Sequence, residues 1–211
     1  MPLTPPKSRS AINTRSIHCE GFRRDDGLWE VEASLVDTRT YISVTPFRAP
    51  VQVGEPFHEM WVRLAVDDAR ELREVEVSID SHPFPECPQV NPNFTRLIGL
   101  KLGTGFNREV QARVGGEEGC THVLTLFSNM ATVAMQTLSS QIRWDDREAA
   151  VRVYGMGKDG ATVPPVVGAC RGYGRSGEMV RHVYPEFHVA RARENGDVIE
   201  SGGDLPGGTS S

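Results

Sequence analysis

The sequence predicts an α+β fold: an antiparallel β-meander of three to five strands, helices packed on one face, and a long helix starting near Cys120. Three observations predict it. Between Leu28 and Asp80 apolar and polar residues alternate, the period of half-buried strands. From Val123 to Leu138 the period becomes helical, with Val123, Phe127, Met130, Ala131, Ala134 and Leu138 on one side and Leu124, Leu126, Val133 and Met135 widening it. Gly, Pro and Asp clusters separate the periodic runs.

Residues 1–16 are basic and rich in Pro and Ser, and are expected to form a flexible arm. A single domain over residues 17–190 and a disordered Gly/Ser/Asp-rich tail over 191–211 complete the expected organisation. Ser16 to Phe22 makes a short strand, and Arg23-Arg24-Asp25-Asp26-Gly27 turns the chain with an Asp-Gly hairpin signal. Leu28 to Asp37 alternates, with Trp29, Val31, Ala33 and Leu35 as its buried set. Thr38 to Phe47 is extended or looped, and Pro46 to Pro56 is a punctuated connection. Phe57 to Val66 is the next strand, and its apolar face carries His58 beside Met60, Val62, Leu64 and Val66. After a turn at Asp67–Arg70, Leu72 to Asp80 closes the meander.

Helices follow. Ser81 to Pro88 is a Pro-locked loop that holds Cys87. Pro92 to Leu100 reads as helix, Gly103-Thr104-Gly105 as a break, and Phe106 to Val114 as a short helix stopped by Gly115-Gly116. Thr121 is the expected N-cap of a helix reaching about Gln141, which sets Cys120 and His122 at its first turn. Beyond Trp144 the reading is a strand at Ala149–Tyr154, a loop at Gly155–Gly160, Cys170 in a Gly-rich turn, and a short element within Val180–His188.

Bulk properties bound the function. With 211 residues the chain can bury one sizeable core. A net charge of −5 argues against nucleic-acid binding through a basic field. No apolar run is long enough for a membrane span, and the first residues lack the apolar core of a secretory signal. Four scattered cysteines, Cys19, Cys87, Cys120 and Cys170, read as reduced thiols or ligands in a cytoplasmic protein. A small molecule, a partner protein and a homodimeric second copy remain open as partners.

The chemistry-bearing residues sit at element ends: His58, Cys87, Cys120, His122 and Cys170. The leading expectation is a metal or cluster site, zinc or iron–sulfur, built from Cys87, Cys120 and Cys170 with His122 or His58. Thiolates and imidazoles are the ligands such centres take, and a helix N-terminus favours a thiolate. The first rival is a metal-free enzyme acting on acyl or thioester substrates, with Cys120 as nucleophile and His58 as base. His122 is disfavoured as that base because residues two apart on a helix point away from each other. The second rival is a non-catalytic binding module in which Cys120 and His122 pack and cap. Two weaker motifs complete the set. Gly103-Thr104-Gly105 precedes a helix and could hold a phosphate, but no Lys-Ser/Thr follows it. Gly155-x-Gly157-x-x-Gly160 spells a dinucleotide fingerprint, yet Pro164-Pro165 forbids the helix that motif needs.

Asp26-Gly27-Leu28-Trp29-Glu30-Val31-Glu32, Leu35-Val36-Asp37-Thr38, His58-Glu59-Met60, Cys87-Pro88 and Gly119-Cys120-Thr121-His122 together resemble a bacterial family labelled domain of unknown function 2889. The resemblance covers roughly residues 12–190, and Gly-Cys-Thr-His is its most specific piece. The family often shows Cys-His-Ala before its final Tyr-Pro; here Arg171 follows Cys170. The resemblance implies an association with bacteria that degrade aromatic and steroid-type acids. At the level of topology the chain also resembles iron–sulfur cluster scaffold and sulfur-acceptor proteins, which hold a cluster or zinc with three Cys and a His or Asp. Their Cys and His are adjacent, whereas here they are Cys120 and His122.

Overall fold

The computed structural model describes residues 3–140, 163–164 and 166–190. The chain divides into two compact units, Met1–Pro165 and Val166–Ser211.

The first unit is built on a four-stranded antiparallel sheet. Its strands are β1 (Asn13–Arg23), β2 (Trp29–Arg39), β5 (Pro56–Val66) and β6 (Leu72–Ser81), adjacent in that order. A small hairpin, β3 (Ser43–Thr45) and β4 (Arg48–Val51), is inserted between β2 and β5. The α+β meander with helices on one face is therefore as the periodicity predicts. Strand β1 begins at Asn13, inside the expected arm, because its backbone pairs with β2 as far as Arg39. The stretch after Asp37 is strand up to Arg39 and then hairpin, where a loop was expected.

Register decides which side chains share the buried face. Trp29, Val31, Ala33 and Leu35 of β2 lie opposite Val66, Leu64, Val62 and Met60 of β5. All eight are buried, with exposures of 0–5%. The pairing then continues one step beyond the apolar run, and Asp37 lies opposite His58. On β1 the same face carries Arg15, Ile17, Cys19 and Gly21, opposite Asp37, Leu35, Ala33 and Val31. The other face is solvated and charged, with Arg63 reaching Glu32 of β2 and Glu76 of β6. Arg63 is half exposed, so these pairs each contribute well under about 1 kcal/mol.

A 3-10 helix spans Cys87–Leu97. It starts earlier than the helix expected at Pro92–Leu100. Pro88 and Pro92 lack the N–H that an α-helical ladder needs, which leaves the tighter, irregular form. Helix α1 (Phe106–Val114) follows, and then α2 (Thr121–Ser139), both close to their expected bounds. Val123, Leu126, Phe127, Met130, Ala134 and Leu138 of α2 are buried against the sheet. Each of these side chains other than Ala134 contributes roughly 1.5–3 kcal/mol when fully covered. Phe94 of the 3-10 helix stacks on Phe127 of α2 with centroids 5.7 Å apart, which ties the Cys87 segment to the long helix.

The second unit holds a short helix α3 (Glu178–Val183) and a 3-10 turn at Pro185–Phe187. The strand expected at Ala149–Tyr154, the loop at Gly155–Gly160 and the 191–211 tail lie outside the described residues.

Candidate functional site

The site forms where β2 ends, β5 begins and α2 begins. Each element delivers one group. Asp37 arrives because the two-residue repeat of β2 runs one step past Leu35, so the carboxylate stays on the buried face and is 4% exposed. His58 arrives on the apolar face of β5, as its alternation predicts. His122 arrives from the first turn of α2. The turn into α2 is tight: a Cβ on Gly119 would collide with the carbonyl oxygen of Val114, so only glycine lets α1 hand over to α2 here.

Asp37 is the hub. Arg15 donates two parallel bonds to it, Nε to Oδ1 at 2.7 Å and Nη2 to Oδ2 at 2.8 Å. Nδ1 of His58 lies 3.0 Å from Oδ2, and Nε2 of His122 lies 3.9 Å from the same oxygen. The two imidazoles face each other with centroids 3.9 Å apart and planes tilted by 34°. One ligand atom from each of Asp37, His58 and His122 falls within 4.8 Å of the others, the one such trio among the described residues.

The electrostatics sort these groups into charged and neutral. Burial opposes ionisation of Asp37, but the Arg15 fork and the His58 bond outweigh it and hold the carboxyl below the usual carboxylate range. Burial pushes both histidines below the ordinary imidazole value. For His58 the neighbouring His122 adds to that push, against the pull of Asp37; for His122 the Arg15 cation adds to it. The resting site is an ionised carboxylate beside two neutral imidazoles.

Around the trio, Phe57 meets His58 edge-on at 4.8 Å and carries the Arg39 guanidinium over its ring at 3.5 Å. Arg39 also donates to Oγ of Ser43 and has no carboxylate partner among the described residues.

The cysteines fall into two groups. Cys120 is the N-cap of α2, one residue earlier than the Thr121 expected there. Its backbone is extended, with φ −126° and ψ 126°, so the helical rule that parts residues i and i+2 does not apply. Its Sγ lies 3.8 Å from Nδ1 of His122, and the objection to that pairing falls away. Cys87 is half-buried in the same neighbourhood. Burial raises its thiol above the ordinary value, and the nearby Cys120 raises it further. Cys170 is exposed and belongs to the second unit. Of the expected site residues, the structure thus brings together His58, His122 and Cys120, with Cys87 close by.

Asp37 and Arg15 were not singled out from sequence. The available signal was an acidic residue sitting where the buried alternation of β2 would place its next side chain. Arg15 carries no such mark, since it lies in a basic segment whose pairing with β2 is a long-range event.

No curated protein and no solved structure matches the chain. Residues 13–136, which contain the whole sheet, the site and nearly all of α2, match the family described as protein of unknown function DUF2889, and the chain belongs to that family.

Proposed function

We propose that the protein holds a divalent metal ion, zinc or iron(II), on Asp37, His58 and His122. One observation carries this reading: a carboxylate and two imidazoles from three separate elements converge within 4.8 Å. Their protonation states support it, because a metal takes neutral imidazole and ionised carboxylate. Three protein ligands leave coordination positions open, as in catalytic zinc and two-His-one-carboxylate iron sites. Arg15 would orient Asp37 from the side, and Cys120 would accept a hydrogen bond from Nδ1 of His122 and so fix the tautomer that presents Nε2. A bound ion would supply Lewis-acid chemistry to a coordinated small molecule. Arg39, with no carboxylate partner among the described residues, gives that molecule a partner if it is an organic acid, in keeping with the association with bacteria that degrade aromatic and steroid-type acids that the resemblance implies.

The test is the metal content of protein purified without an affinity tag. About one equivalent of metal is expected, falling at least tenfold in His58→Ala and in His122→Ala. Wild-type protein that stays metal-free after exposure to zinc and to iron(II) under anaerobic conditions sinks the reading.

The contact between Cys120 and His122 favours a second reading, a metal-free relay. Here His122 takes the Cys120 proton at Nδ1, and Asp37 steadies the ring from Nε2. It supposes a thiol that iodoacetamide alkylates rapidly at about pH 6 and that slows about tenfold in His122→Ala. A Cys120 that reacts equally fast with and without His122 dismisses it.

A further inference from the structure

We propose that the Gly103-Thr104-Gly105 turn at the head of α1, with Arg70 and Arg108, is a binding site for a phosphate group, separate from the metal site.

The turn leaves a helix N-terminus uncovered. Gly105 is the N-cap of α1 and has φ 88°, a left-handed conformation that glycine adopts without cost, and no side chain caps the helix. The Phe106 N–H is bonded to the Gly103 carbonyl and the Glu109 N–H to the Gly105 carbonyl. The N–H groups of Asn107 and Arg108 between them have no protein acceptor among the described residues. Free donors at the positive end of a nine-residue helix suit an anion.

Arg70 supplies the independent observation. The residue is 7% exposed, yet its guanidinium has no hydrogen bond and no ion pair among the described residues. The side chain is covered along its length with no counter-charge at its end, and burial with nothing to oppose it lowers its proton affinity. Its backbone, at φ 68°, is held left-handed between the β5–β6 turn and the Leu102 N–H, which bonds to its carbonyl at 2.8 Å. The side chain is thereby directed at the turn: Nη1 is the nearest atom to the space above Gly103, 3.8 Å from where a Cβ would stand. Arg108 reaches back over Gly105 from the first turn of α1, its Nη2 3.6 Å from the corresponding point and 3.4 Å from Oε1 of Glu109, a long exposed pair that a dianion would compete with. Two planar cations, free backbone donors and two side-chain-less residues make a cradle for a tetrahedral dianion, which can accept from all of them at once. No Lys-Ser/Thr follows the turn, so the site lacks the lysine and metal-binding hydroxyl of a nucleoside triphosphate loop. A single phosphate, free or as a monoester, is the chemistry it fits.

Calorimetric titration of the full chain in chelator and low salt tests this, using inorganic phosphate in one arm and glycerol phosphate in the other. Saturable binding at about one site is expected in at least one arm. Tighter binding of the ester assigns a phosphorylated metabolite, and equal or tighter binding of the inorganic ion assigns free phosphate. Affinity should drop at least tenfold in Arg70→Met and several-fold in Arg108→Ala, and should be unchanged in His122→Ala. Arg108 is 82% exposed, so its variant folds whatever happens at Arg70. Heats no larger than those of matched chloride, or an Arg108→Ala protein that binds as wild type does, overturn the proposal. Because the metal ligands are left intact in both arginine variants, loss of this site and loss of the metal site are read separately.

Discussion

At Asp37 one carboxylate answers to three groups. Arg15 holds both its oxygens, His58 bonds to one, and His122 stands 3.9 Å from that same oxygen. The arginine keeps the carboxylate charged, and burial keeps the imidazoles neutral. This division has a consequence in the metal-free protein. Both folded histidines hold their protons less tightly than the unfolded chain does. Their contribution to stability is therefore complete above about pH 6.5 and is lost as pH falls below it. In chelator, the melting temperature should fall between about pH 7 and pH 5, and the double variant His58→Gln/His122→Gln should flatten that slope. A wild-type profile that is flat or rises on acidification contradicts the assignment. At this scale the sequence was half legible. His58 was placed by its apolar neighbours Met60 and Val62. Asp37 was not, because a polar residue at the end of an apolar alternation is as easily the first residue of a turn.

The elements explain why these residues meet. Helix α2 lies across β1 and β2, and its approach depends on Gly21. A Cβ at Gly21 would collide with the Thr137 side chain, whose hydroxyl is already bonded to the Val133 carbonyl at 2.8 Å. Gly21→Ala should therefore destabilise the protein by about 1–3 kcal/mol, measured by denaturant unfolding. Combining it with Thr137→Ala should restore most of the loss, since the two atoms compete for one space. An additive pair, or a neutral Gly21→Ala, means that the helix is not held at that distance. The periodicity of α2 and its buried face could be read directly, because helical spacing is local. The contact between Gly21 and Thr137 could not, because it depends on where two distant elements cross. The cap falls on Cys120 and not on Thr121 for a local reason. Threonine is the better capping residue by propensity, but the tight turn at Gly119 starts the helix one residue sooner.

Over β2 and β5, one sheet face is apolar and covered, and the other is charged and solvated. The candidate site lies at one end of the covered face, beyond the last buried aliphatic pair, Leu35 and Met60. There the core gives way to polar groups, with Asp37 and His58 largely covered and His122 and Arg15 partly open to solvent, a setting that shifts proton affinities. The meander was legible because each strand announces its own period. The convergence of Asp37, His58 and His122 was not, because sulfur and imidazole at element ends identify candidates without saying which of them come together. Cys87 and Cys120 drew attention as sulfurs, whereas the close trio contains none.

X-ray absorption at the zinc edge of the metal-loaded full chain measures this difference directly. An ion on Asp37, His58 and His122 gives a first shell of nitrogen and oxygen alone, at about 2.0–2.1 Å, that collapses in His58→Ala. A sulfur scatterer at about 2.3 Å would place the ion on the cysteines and contradict that assignment.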